Sequence, residues 1–251
     1  MGSPLRVVVA GADGRMGKAL VAGLPEQPDV EVVGTITRGN VADAERVLAG
    51  ADVMVEFTHL DVARDLILRA IDAGVRPVSG TSGLPNDALD AIDAAARARG
   101  IGAVWAANYR VGGAVLAALA RLTAKHLEPV EIVEIMHATK KDAPSGVSLA
   151  LARAISESRE GGRPARPAER QVLPGTRGGE TSGVHIHSVR IPGLMSRTEV
   201  YFGGTDEIVV LQHEENGRSA YPATVACAIR KVMEPDAVGL IRSFGAVIGL
   251  D

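Results

Sequence analysis

Over the first hundred residues, short β-branched apolar runs alternate with longer Ala-, Leu- and Arg-rich stretches, the rhythm of strand-helix-strand units around a parallel sheet. Leu5 to Ala10 reads as a first strand, Gly17 to Leu24 as a first helix and Val30 to Ile36 as a second strand. Asp43 to Ala49 predicts a short helix, Asp52 to Phe57 a third strand and Val62 to Ala73 an amphipathic helix. Pro77-Val78-Ser79 ends another strand, Asn86 to Arg99 is helical, and Val104-Trp105-Ala106 is extended again. The pattern then changes. Val130 to His137 reads as a strand, Ser145 to Ser158 as a helix, and Glu160 to Glu169 as a Gly/Pro/Arg-rich exposed loop. His185 to Ile191, Thr198 to Phe202 and Glu207 to His213 alternate as antiparallel strands do, and Tyr221 to Met233 is helical. The fold class expected is α/β, a doubly wound dinucleotide-binding (Rossmann) domain with a central α+β domain. The boundaries expected are 1–107 with 217–251 for the first domain and 108–216 for the second.

Composition narrows the function classes. With 251 residues the chain buries a core without disulfides, and 46% hydrophobic against 23% charged residues excludes a disordered chain. Lys+Arg 27 against Asp+Glu 30 gives no basic excess, so no nucleic-acid partner is expected. The single cysteine, Cys227, excludes an internal disulfide framework and a cysteine-rich metal site; no metal is expected, and a cytoplasmic location is. No apolar run reaches spanning length and no leader pattern precedes Leu5, so no membrane partner is expected.

Chemistry concentrates at strand ends. The first predicted strand runs into Gly11-Ala12-Asp13-Gly14-Arg15-Met16-Gly17 and then a helix. Glycines so spaced let the backbone turn, approach a pyrophosphate and pack helix on strand, while the helix start offers N–H groups and a positive dipole end. A ligand-free Gly-rich turn is the plain alternative, but strand, helix and position together favour the dinucleotide. The usual acid at the end of the second strand, which bonds a ribose 2′-hydroxyl, is missing from Gly34-Thr35-Ile36-Thr37-Arg38-Gly39. Arg38 there complements a 2′-phosphate, favouring NADPH over NADH, although a lone arginine also serves as a solvated loop charge. Phe57-Thr58-His59 and Gly80-Thr81-Ser82-Gly83 follow further strands, where a doubly wound sheet meets the rest of its ligand. The densest cluster is His137-Ala138-Thr139-Lys140-Lys141-Asp142-Ala143-Pro144-Ser145-Gly146, leading from a strand into a helix. Ser145 and Gly146 can present N–H groups to a carboxylate, and His137, Lys140 and Lys141 add positive charge or transferable protons. A small anionic substrate is the expected partner. An ordinary loop with a Ser cap is the bland alternative, and the two roles can coexist.

Gly11 to Gly17, Val55-Glu56-Phe57-Thr58, Gly80-Thr81-Ser82-Gly83, Asn108-Tyr109-Arg110-Val111-Gly112 and Lys140 to Gly146 resemble, in order and spacing, the motifs of the dihydrodipicolinate reductase family of bacterial lysine and diaminopimelate synthesis. Leu173 to Gly178, His187-Ser188-Val189-Arg190, Glu199 to Gly203, and His213 with Arg218 extend the resemblance over essentially the whole chain. Its most specific part is Lys-x-Asp-Ala-Pro-Ser-Gly. The resemblance implies a Rossmann domain completed by the C-terminal segment, a central domain with a mixed open sheet that also forms a homotetramer, and a hinge that closes the two. It implies hydride transfer from NADPH or NADH to a cyclic unsaturated dicarboxylate. The residues expected to hold the cofactor are Gly11, Asp13, Gly14, Arg15, Met16, Gly17, Arg38, Phe57, Thr58, Gly80, Thr81, Ser82 and Asn108. Carried over by position, Lys140 and His137 are the proton-carrying residues, and Ser145, Gly146 and Val147 join them in holding substrate.

Three positions depart from that pattern. Met136 replaces the first of the family's paired histidines, Val147 the threonine after Ser-Gly, and Arg110 the serine of Asn-Phe/Tyr-Ser. The resemblance implies that all three lie on the substrate side, which leaves fold and cofactor class untouched. Two other functions compete: a relative that reduces a different imine or enamine acid, and a catalytically silent dinucleotide sensor. Retention of Lys140, Asp142 and Ser145 argues against the sensor, which has no use for a proton donor. A short-chain-type Tyr/Lys reductase fits poorly, because Tyr109, Tyr201 and Tyr221 lack a lysine four residues on.

Overall fold

The computed structural model describes residues 3–159 and 170–250; the loop expected from Glu160 to Glu169 lies outside them. The first segment gives β1 (Leu5–Ala10), α1 (Arg15–Gly23), β2 (Val30–Ile36), α2 (Ala44–Leu48), β3 (Val53–Glu56), α3 (Leu60–Asp72), β4 (Arg76–Ser79), α4 (Asn86–Arg99) and β5 (Gly102–Trp105). The middle gives α5 (Val111–Ala124), β6 (Val130–His137), α6 (Gly146–Glu157), β7 (Gly179–Thr181), β8 (Val184–Ile191), β9 (Ser196–Gly204) and β10 (Glu207–Glu215). The tail adds α7 (Tyr221–Val232), β11 (Gly239–Ile241) and α8 (Phe244–Val247). Two compact units result, Met1–Val111 with Arg218–Asp251, and Gly112–Gly217.

In the first unit an all-parallel sheet runs β11-β5-β4-β3-β1-β2. Its central strands are buried on both faces, which is why Val7-Val8-Val9 and Val53-Met54-Val55 read as unbroken apolar runs. Helix α3 turns Ala63, Leu66, Ile67, Ala70 and Ile71 onto the sheet, the 3-4 spacing of an amphipathic stripe. Because β1 is flanked by β2 on one side and β3 on the other, the chain reverses its winding there. Such a reversal opens a crevice beyond the C-terminal ends of β1 and β3. The tail joins this unit through α7, which buries Val225, Ala226, Ala228, Ile229 and Val232, and through β11 at the sheet edge.

In the second unit the sheet order is β10-β9-β6-β8-β7. Strand β8 runs parallel to β6, contrary to the antiparallel expectation for the 185–191 run; β9 is antiparallel to β6, and β10 to β9. The reason is topological: β6 lies between β8 and β9, so the two runs that follow one another in sequence never pair. Leu116, Ala120 and Ala124 of α5 and Leu151, Ala152 and Ile155 of α6 cover one face, over Val130, Ile132, Val184, Ile186, Val200 and Phe202. Alternation then puts Glu134, Ser188 and Arg190 on that same face, at the end where α6 begins. The opposite face carries Val189, Ile191, Ile208 and Val210, all exposed.

Candidate functional site

The glycine turn is closed by main-chain contacts that leave no room for side chains. Gly11 takes φ +84°, and a Cβ there would fall 2.2 Å from the Phe57 carbonyl oxygen; a Cβ on Gly17 would fall 2.1 Å from that of Gly11. The Gly11 and Ala12 N–H groups donate to the Ile36 carbonyl and that of Gly14 to the Gly11 carbonyl. The N–H groups of Asp13, Arg15, Met16 and Gly17 make no hydrogen bond among the described residues, and no side chain caps α1. An anion at this helix start satisfies orphan donors and meets the positive end of the helix dipole. The residues present therefore fit a dinucleotide pyrophosphate. Beside the turn, the Asn40 side chain accepts from the Thr37 N–H at 2.7 Å and donates to the Thr35 carbonyl, so the turn that presents exposed Arg38 is ordered.

A second feature, outside the set of residues expected from sequence, is the Glu56 side chain. It is fully buried and accepts from the Thr58 N–H and hydroxyl, the Ser79 hydroxyl and the Thr81 hydroxyl at 2.5–2.7 Å. One carboxylate thus ties the loops after β3 and β4 together. Phe57 packs against this arrangement from the side: a Cβ on Gly80 would sit 2.1 Å from its ring. The Trp105 indole donates to the Thr81 carbonyl, and the Tyr109 hydroxyl donates to that of Ser79. Burial, with the Glu56 charge, pushes the Tyr109 phenol well above its ordinary range, so it stays a neutral donor to the Ser79 carbonyl. Ser82 is exposed at the tip of this loop. In the sequence Glu56 shows as an acid at the end of an otherwise apolar strand, within the Val55-Glu56-Phe57-Thr58 motif of the resemblance.

Asn108 accepts from the Arg110 N–H and from the Tyr221 hydroxyl, both at 3.1 Å, and the Arg110 guanidinium lies 4.5 Å from the Tyr221 ring centroid. The Arg110 cation is stacked on an aromatic face of the first unit, where its charge is stabilised.

In the second unit the 137–147 segment is organised around a different buried carboxylate. Glu134 is fully buried and accepts from the Ser145 N–H at 2.9 Å, the Ser148 hydroxyl at 2.7 Å, the Ser188 hydroxyl at 2.8 Å and Arg190 Nη2 at 2.7 Å. This corrects one expectation. The Ser145 N–H is not offered to a ligand, because the protein's own carboxylate takes it, and the Ser145 hydroxyl caps α6 by accepting from the Ser148 N–H. What α6 leaves open are the N–H groups of Gly146 and Val147, which make no hydrogen bond among the described residues. Lys140 Nζ contacts both Asp142 carboxylate oxygens at 2.9 Å, and His137 Nδ1 meets the Thr139 hydroxyl at 2.8 Å. Burial acts to raise the Asp142 carboxyl, but the Lys140 ammonium more than offsets it and holds it below its ordinary value.

Burial likewise opposes ionisation of Glu134, yet the Ser145 and Ser148 donors and the Arg190 guanidinium hold it at about 2, against an ordinary 4.5. A folded value below the unfolded one means stability that is full above about pH 4.5 and lost as pH falls through about 2, up to about 3 kcal/mol for this group. Glu134→Gln is expected to be less stable than the parent by up to that amount near neutrality, and the gap is expected to close toward pH 2. Urea unfolding across pH checks it; a gap that stays constant with pH shows that the ionised form is not what stabilises.

Comparison with known proteins gives a consistent match across both units. Residues 5–109 match the family model described as dihydrodipicolinate reductase, N-terminus, and residues 112–243 the one described as its C-terminus. The chain is 33% identical to a 4-hydroxy-tetrahydrodipicolinate reductase of Bacillus velezensis, over 92% of this chain and 94% of that one. It is 36% identical to the enzyme of the same name from Gloeothece citriformis, again over 92% and 94%. Among solved structures, a dipicolinate-bound dihydrodipicolinate reductase from Paenisporosarcina superposes with a TM-score of 0.79 at 26% identity, covering 97% of this chain and 99% of that chain.

Proposed function

This chain belongs to the dihydrodipicolinate reductase family, and we propose that its Lys140 loop holds the cyclic dicarboxylate that its relatives are named for while its Gly11–Gly17 turn holds the reducing dinucleotide. It is an NAD(P)H-dependent oxidoreductase. The observation that carries the substrate assignment is one loop that combines the Lys140 ammonium with the unmatched N–H groups of Gly146 and Val147 at a helix start. That set of donors suits a carboxylate. Asp13, Gly14, Arg15, Met16 and Gly17 would hold the pyrophosphate; Phe57, Thr58, Gly80, Thr81, Ser82 and Asn108 would line the remainder of the dinucleotide. When bound, the dinucleotide supplies a hydride. The chain's own part is to hold the substrate and to deliver a proton, for which Lys140 is the donor and His137 the neighbouring reserve. The test is a panel: oxidation of NADPH and NADH with dihydrodipicolinate against other cyclic imines. Turnover of another imine alone supports the relative with a different substrate, and no turnover of any supports the silent sensor.

Exposed Arg38 at the ordered Thr37–Asn40 turn, with no acid at the end of β2, supports NADPH as the tighter cofactor. Arg38→Ala is expected to weaken NADPH by about tenfold and NADH hardly at all, as loss of one charge-assisted phosphate contact does. Calorimetric titration of both cofactors decides it; a parent that prefers NADH shows that Arg38 does not meet the 2′-phosphate.

The exposed Val189, Ile191, Ile208 and Val210 on the face of the second sheet opposite α5 and α6 support a homotetramer built there. Its solution mass, measured by light scattering, should be that of four chains. A cytoplasmic location is part of the same reading, supported by a lone, exposed cysteine. No described helix is long and apolar enough to cross a membrane.

A further inference from the structure

Between β6 and the substrate loop lies an ion pair that bonds the main chain of the loop at two points. One Glu134 oxygen, Oε2, accepts from the Ser145 N–H and the Ser148 hydroxyl at the start of α6. The other, Oε1, accepts from Ser188 and from Arg190 Nη2 on β8. Arg190 Nη2 also donates to the Asp142 carbonyl at 2.6 Å, and the Asp142 carboxylate in turn holds the Lys140 ammonium at 2.9 Å. The loop is therefore pinned at two points, Asp142 and Ser145, by two side chains that also bind each other. Lys140 lies just before the first pin and Gly146 and Val147 just after the second.

We propose that Glu134 and Arg190 are positioning residues for the reduction, fixing Lys140 and the Gly146 and Val147 N–H groups in the arrangement that receives the substrate. The inference rests on the substrate assignment made above. A buried ion pair is by itself weak evidence for stability, since an apolar pair of similar volume often serves as well. What an apolar pair cannot do is accept the Ser145 N–H or donate to the Asp142 carbonyl. The pairing of β6 with β8 needs neither bond, because the parallel ladder from Glu131↔His185 to His137↔Ile191 already joins the strands. Ser188 supplies the contrast: its hydroxyl touches Glu134 but nothing in the loop.

Three variants separate positioning from mere support: Arg190→Lys, which keeps the charge and loses the fork, Glu134→Gln, and Ser188→Ala. For each, kcat and KM on dihydrodipicolinate, the Kd for NADPH alone and hydrogen exchange of the 140–148 segment are measured. Arg190→Lys and Glu134→Gln should lower kcat by about tenfold or more, since small displacements of reacting groups are costly in rate. The same two should exchange faster across 140–148 with NADPH affinity within about twofold of the parent, while Ser188→Ala keeps kcat within about twofold. If Glu134→Gln does not fold, Arg190→Lys decides alone. A normal kcat in Arg190→Lys, or a Ser188→Ala loss as large as its own, overturns the proposal. A parent inactive on dihydrodipicolinate overturns the substrate assignment instead; unchanged exchange in Arg190→Lys then overturns the positioning role independently.

Discussion

Lys140→Ala is expected to lower kcat/KM on dihydrodipicolinate by about a hundredfold or more while leaving the NADPH Kd within about twofold, because loss of a positioned acid costs that much in rate. The lysine belongs to the second unit, whereas the pyrophosphate turn belongs to the first, so cofactor affinity has no reason to follow. Two effects add. The substitution removes the only ammonium that the structure shows fixed in this loop, held to Asp142 by two contacts at 2.9 Å. It also leaves the Asp142 carboxylate without its cation, facing an incoming dicarboxylate of the same sign. Adding Asp142→Asn to Lys140→Ala should therefore recover part of the loss in KM and none of the loss in kcat. Steady-state kinetics with a cofactor titration on the same samples decides it. Near-normal turnover in Lys140→Ala would pass the proton-donor role to His137 or to water.

How much of this could be read from the chain depends on how local each signal is. Strands β1, β2 and β6 and helix α4 carry complete local hydrophobic patterns, and their ends agree with the structure to the residue. Helix α5 was not expected at all. Leu116, Ala120 and Ala124 point inward, but Val111, Val115, Leu119 and Leu122 are exposed on the other side, so the segment is apolar all round and shows no amphipathic period. Strand β11, Gly239–Ile241, is too short to show a period and exists only because β5 offers it an edge. The glycine turn and the Lys140 loop were legible because their chemistry is contiguous. The roles of Glu56 and Glu134 were not: each is an acid on a largely apolar strand, and part of what satisfies it, Ser79 and Thr81 for one and Ser188 and Arg190 for the other, lies 23 to 56 residues away. Nor did the sequence show that Ser145 faces inward. A Ser before a helix reads equally as a cap or as a ligand donor until its amide partner is known.

The remaining expectation concerns Met136 and Val147. Val147→Thr should raise kcat/KM on dihydrodipicolinate by about ten- to a hundredfold, because a hydroxyl donating to a carboxylate contributes roughly 1.5–3 kcal/mol. The change is nearly isosteric, and residue 147 is only partly buried in the first turn of α6, so the new hydroxyl costs little in folding. It joins the Gly146 and Val147 N–H groups, which are already unmatched there. Met136→His is a different matter. Met136 is 6% exposed and shares the β6 face of Glu134, with Arg190 as its register partner on β8. A histidine there is desolvated beside a guanidinium, and both conditions disfavour its protonated form. The residue can act as a donor only if the reacting atom draws the proton from a neutral ring. The double variant is therefore expected to gain little beyond Val147→Thr in kcat/KM, and to lose some thermal stability. Steady-state kinetics on the parent, both single variants and the double, with melting temperatures alongside, separate the contributions. If Met136→His alone restores rate and Val147→Thr does nothing, proton delivery and not carboxylate binding is what these two departures cost. If the parent already turns over near 10⁴ M⁻¹s⁻¹, about the ordinary enzyme range, and no variant improves on it, the Gly146 and Val147 main chain with Lys140 suffices for the natural substrate.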